Sequence, residues 1–140
     1  MTKLLLSIHV LAAILAVGPV AVAASMFPAA ARAPEPDRPA LRVLHRVCRV
    51  YAVVGIAVPV FGLATASSLG VLGDAWLLVS IGLTAAAAAV LGLLVLPGQR
   101  GVLSDGAPAR RLAMHTGMFN LLWAAVTVLM IVRPGSTTGA

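Results

Sequence analysis

The sequence predicts an all-α fold, a four-helix transmembrane bundle, on three observations. The 140 residues are 61% hydrophobic and only 10% charged, with a mean hydropathy of +1.05, whereas soluble domains carry about 25% charged residues. Four apolar stretches, about 4–27, 50–69, 75–96 and 112–132, are each long enough to cross roughly 30 Å of hydrocarbon at about 1.5 Å per residue. No stretch alternates apolar and polar residues as a barrel strand does, and lipid admits only helices or closed barrels because every backbone polar group must be paired internally. Cys48 is the single cysteine, which excludes a disulfide-stapled domain and a Cys-based zinc site.

The connections follow from composition. A Pro-rich linker carrying Pro28, Pro34, Pro36 and Pro39 follows the first span, residues 70–74 form a tight turn, and a Gly/Pro loop is expected over 97–111. One domain covers 1–133, with a flexible tail over 134–140. Arg32, Arg38, Arg42, Arg46 and Arg49 precede the second span, and Arg100, Arg110 and Arg111 lie between the third and fourth. The opposite side holds only Lys3 and Arg133. This asymmetry predicts that the arginine-bearing loops lie in the cytoplasm and both termini outside. The net charge of +6 then reads as attraction to anionic headgroups. Nucleic acid is not an expected partner, because the arginines have no aromatic platform beside them.

Helical periodicity assigns faces. The first span sets His9, Ala12 and Ala16 on one side. The second aligns Cys48, Ala52, Gly55, Pro59, Gly62 and Ala66, and the third aligns Gly82, Ala85, Ala86, Ala89 and Gly92. Small residues let helix backbones approach in lipid, so these stripes are expected to be packing faces. Pro19 and Pro59 are expected to kink their helices. The second helix should begin before the membrane, with Asp37 as cap, Pro39 in the first turn, and Arg42, Arg46 and Arg49 on a basic face contacting headgroups. Thr116, Asn120, Trp123 and Thr127 share a face of the fourth helix, and Asn120 there can bond a neighbouring helix or line a polar cavity.

Chemistry-bearing residues are few. No Asp, Glu, Lys or Arg falls deep inside a span, which argues against an energised carrier. The histidines are His9, near the outer end of the first span, and His45 and His115 near the arginine side. No cofactor is the leading expectation; histidines on facing helices can hold haem, which makes haem b the main alternative, with a single-His metal or quinone contact behind it. No catalytic residue and no metal site is expected. The leading expectation is a structural or interaction subunit that packs through its small-residue faces with itself or other membrane subunits, not an enzyme. A haem-binding redox protein using His9, or His45 with His115, and a small-molecule permease with a path past Asn120 are the alternatives.

The opening Leu6-Ser7-Ile8-His9-Val10-Leu11-Ala12-Ala13 with Val17-Gly18-Pro19 resembles the first helix of a family of bacterial integral membrane proteins defined by a domain of unknown function. The stretch 51–72, Leu96-Pro97-Gly98-Gln99-Arg100 and Asn120-Leu121-Leu122-Trp123 extend the likeness. That resemblance implies four inner-membrane helices and no assigned activity. A more distant likeness, to the four-helix protoporphyrinogen oxidase and copper resistance D families, implies haem or metal chemistry at His9 alone. The third span lacks the basic residue that the oxidase pattern wants in a later helix.

Lys3, the apolar run 4–17 and Ala21-Val22-Ala23 also have the form of a cleavable signal peptide. Cleavage would leave a linker with five arginines outside, so the charge asymmetry favours an uncleaved first span. The intact mass of membrane-extracted protein is expected to retain residues 1–23; their loss would remove the first helix from the bundle.

Overall fold

The computed structural model describes residues 2–135, and the expected tail falls mostly outside them. Among these residues there are four long helices and no strand: α1 Thr2–Ala31, α2 Arg38–Leu69, α3 Ala75–Asp105 and α4 Arg110–Val132. Each is long and apolar enough to cross a membrane. Contacts at both ends fix an up-down-up-down order. At the arginine-rich end Arg38 donates to the carbonyl of Leu103, and Arg32, just beyond α1, shares a cleft with Ala113 of α4. At the far end Thr2 bonds Ser68, and the Arg133 guanidinium lies 5.3 Å from the centre of the Trp76 ring.

Local chemistry sets the boundaries. Asp37 caps α2 by accepting from Ala40 N–H at 3.3 Å, and Pro39 sits in the first turn, where a missing N–H costs nothing. Gly70 ends α2 in the left-handed conformation (φ 73°), and its N–H bonds the carbonyls of Ala66 and Ser67. α2 is interrupted at Gly55–Ile56, four residues before Pro59. Pro59 has no N–H for the Gly55 carbonyl, which instead accepts from Val58 at 3.1 Å. In α1, by contrast, helical structure continues through Pro19 and Pro28.

The loop expected over 97–111 is largely helix. α3 runs on to Asp105, leaving only 106–109 as connection. Leu91–Val95 forms a π-helical turn in which the Leu96 N–H reaches back to the Leu91 carbonyl. One extra residue in the turn accommodates the Pro97 ring, which then starts the last segment of α3 at a tolerated position.

α1 packs along both halves of α2 and against α4; α3 packs on α4, and its last segment meets the start of α2. The main core lies toward the arginine end and draws on all four helices, with Phe27, Leu41, Cys48, Val95, Leu112 and Phe119 buried together. A smaller cluster of Ala66, Val71, Trp76 and Leu77 closes the far end. Large apolar side chains meanwhile face outward, Leu121 at 73%, Leu93 at 72% and Val53 at 68% exposure. An aqueous bundle buries such residues, whereas lipid solvates them at no cost.

The α1–α2 seam is built on small residues. Ala16 is fully buried and lies opposite Gly55, while Ala12 is half-buried beside it. Gly62 faces the His9 ring so closely that a Cβ there would lie 2.8 Å from Cε1. The third stripe does not pack inward. Gly82, Ala85, Ala86, Ala89 and Gly92 are exposed, and a Cβ at Gly82 or Gly92 would meet nothing within 4 Å. α3 buries Trp76, Leu77, Ser80, Ala87 and Val90 instead.

These surroundings separate two glycines that look alike in sequence. Gly62→Ala should displace the His9 ring and destabilise the bundle by about 1–3 kcal/mol despite its better helix propensity. Gly82→Ala should be neutral or stabilise by up to about 1 kcal/mol. Thermal unfolding in detergent reads both; equal effects would mean that the seam does not depend on close approach.

Candidate functional site

The polar side chains gather in three places. The first is the α1–α2 seam. His9 Nδ1 donates to the Val58 carbonyl at 2.8 Å; a carbonyl only accepts, so the proton is on Nδ1. This bond spans the stretch of α2 between the Gly55–Ile56 interruption and Gly62, which ties the irregular backbone to α1.

The second is at the arginine end, where α2 extends beyond the apolar span. Leu41, His45 and Cys48 form its buried face, and Arg42, Arg46 and Arg49 are exposed. Gln99 of α3 is completely buried. His45 Nδ1 donates to Gln99 Oε1 at 2.7 Å, and Gln99 Nε2 donates to Cys48 Sγ at 3.5 Å. One glutamine amide thus joins two residues of α2 to α3. Nε2 of His45 is buried without a hydrogen-bond partner. The three arginines line an open cleft of about 310 Å³ together with Val43, His45 and Leu103, a concave basic surface suited to an anionic group.

The third lies between α1 and α4. Asn120 Nδ2 donates to Ser25 Oγ of α1 at 2.9 Å. A cleft of about 170 Å³ is lined by Ser25, Pro28, Arg32, Ala113, Thr116, Gly117 and Asn120. Thr116 Oγ1 and Asn120 Oδ1 are buried and unpartnered. Thr127, on the same helix, donates to the Trp123 carbonyl at 2.9 Å and so satisfies itself.

The expected site residues are therefore distributed among separate surroundings. His9 belongs to the α1–α2 seam, His45 to the Gln99 network, and His115 is half-buried on α4. No group of three or more His, Cys, Asp or Glu suited to a metal occurs among the described residues. Gln99, Ser25 and Arg32 were not among the residues singled out by spacing. Pro97-Gly98 hides Gln99 in the sequence, because it reads as the end of the span; in the structure Leu91, Val95, Gln99 and Val102 are all buried at helical intervals that run straight through Pro97. No family model, curated protein or solved structure matches this chain.

Replacing Gln99 by Leu should strand the buried His45 Nδ1–H and cost about 1–3 kcal/mol. Replacing His45 by Leu in the same protein should recover most of that loss, since neither polar partner then remains. A double-mutant cycle on thermal unfolding checks this; additive losses would contradict the pairing.

Proposed function

We propose that the chain is a multi-pass protein of the bacterial inner membrane, with its arginine-rich end in the cytoplasm, and that it works as an interaction subunit through the outer face of α3. One observation carries the reading. Gly82, Ala85, Ala86, Ala89 and Gly92 form a smooth strip that the bundle leaves exposed, while the small residues of α1 and α2 are used inside it. In lipid, a strip of this kind gains dispersion contacts only when another helix lies against it. A second copy presenting the same face supplies one by symmetry. The eight arginines at one end and two basic residues at the other support the orientation.

The test uses Ala86→Cys in a Cys48→Ala background, oxidised in native membranes. Disulfide-linked dimers are expected with Ala86→Cys and not with Leu121→Cys, which is also exposed on the outside of the bundle, on α4. Adding Ala89→Leu should abolish the link. Monomer under all these conditions would remove self-association through α3. An optical spectrum separates this reading from the haem alternative, in which His9, or His45 with His115, would supply the ligands. A Soret band abolished by His9→Ala, His45→Ala or His115→Ala would put haem binding in place of the interaction role.

A further inference from the structure

The cleft between α1 and α4 contains polar groups that the bundle does not use. Thr116 is 3% exposed, yet its hydroxyl has no partner. Five other helical hydroxyls, those of Ser7, Thr65, Ser80, Ser104 and Thr127, donate to the carbonyl four residues back at 2.7–2.9 Å. That bond is open to any helical threonine, and Thr116 does not make it. Asn120 bonds Ser25 with one end of its amide and leaves the other end unpartnered. Turning the amide over keeps the same link with Ser25 Oγ donating to Oδ1, and frees Nδ2–H as a donor. In either orientation one polar end of Asn120 and the Thr116 hydroxyl await a partner in one cavity.

The mouth of the cavity is cationic. Arg32 Nε donates to the Pro28 carbonyl at 3.3 Å, which folds the guanidinium back along α1 over the cleft and leaves its terminal amino groups for an anion. Ser25 lies seven residues before Arg32, about 10 Å deeper along the helix. Ser25 and Gly117 are exposed, so the cleft opens sideways, where lipid adjoins the bundle. A positive charge at the mouth with hydrogen-bond donors deeper along the wall matches a phosphate above two ester carbonyls.

We propose that this cleft binds one anionic diacyl phospholipid of the adjoining leaflet. Its phosphate sits on Arg32, and its ester carbonyls accept from Thr116 Oγ1–H and from Asn120 Nδ2–H, with the amide turned so that Ser25 Oγ–H donates to Oδ1. A free phosphate ion offers no acceptor at the deeper level. The site is distinct from the α3 strip and does not depend on self-association.

The ester carbonyls make the proposal testable. Full-length protein in detergent is titrated with phosphatidylglycerol, with its dialkyl-ether analogue, which lacks both carbonyls, and with inorganic phosphate, and bound lipid is counted by native mass spectrometry. The wild type should bind the ester lipid about thirtyfold more tightly than the ether lipid, the value of roughly two net hydrogen bonds. Thr116→Val loses one of the two bonds and should keep only about a fivefold preference for the ester lipid, while Thr116→Ser keeps the full preference. Arg32→Gln should weaken both lipids alike. Equal binding of ester and ether lipids by the wild type overturns the proposal, as does an unchanged preference in Thr116→Val. Displacement of the lipid by inorganic phosphate alone would show a site for a free anion instead. If Thr116→Val loses its helical circular-dichroism signal, the wild-type comparison and Thr116→Ser still decide.

Discussion

The exclusion of charge from hydrocarbon shapes this molecule more than any single contact. An arginine at the centre of a spanning helix costs about 2.5–3.5 kcal/mol even on the mildest scales, and an unpaired backbone group there costs several more. Helices solve the second problem, and placing the basic residues beyond the apolar spans, eight of ten of them at one end, solves the first. α2 and α3 are 32 and 31 residues long, well beyond the roughly 20 needed to cross. Their extra turns lie together at the arginine end, as the Arg38–Leu103 and His45–Gln99 bonds show. The polar network of this protein exists because those turns extend out of the apolar span.

Once the helices are inserted, burial of bulky side chains gains little, since lipid is as apolar as leucine. Fit between helices takes over. At the α1–α2 seam it comes from glycine and alanine: Ala16 against Gly55, and the His9 ring against Gly62. Toward the arginine end Phe27, Val95 and Phe119 fill the centre. The π-turn of α3 belongs to the same economy of fit, because it carries the helix past Pro97 without breaking it and delivers Gln99 to the inside.

The fold class, the four helices and the cap of α2 were legible in the sequence, because span length, turn residues and Asp37 with Pro39 act locally. The end of α3 was not. Pro97-Gly98 reads as a stop signal, and only the buried intervals at Leu91, Val95, Gln99 and Val102 reveal that the helix continues. The stripes were ambiguous for a physical reason: in lipid a row of small residues looks the same whether its partner lies within the chain or outside it. Gly62 and Gly82 occupy equivalent patterns and opposite surroundings. For the α1–α4 cleft the Thr116–Asn120 face was visible from helical spacing, but Ser25 and Arg32 come from another helix, and no pattern within one span could name them.

The most direct measurement is labelling of single cysteines with a membrane-impermeant maleimide, in a Cys48→Ala background. Four spans with the arginine end in the cytoplasm predict that Gly73→Cys, in the turn between α2 and α3, reacts in intact spheroplasts. Pro36→Cys and Ala107→Cys, in the two arginine-side connections, should react only once the membrane is opened. The reverse pattern would contradict the orientation, and equal labelling of all three positions in intact spheroplasts would contradict the spanning bundle itself.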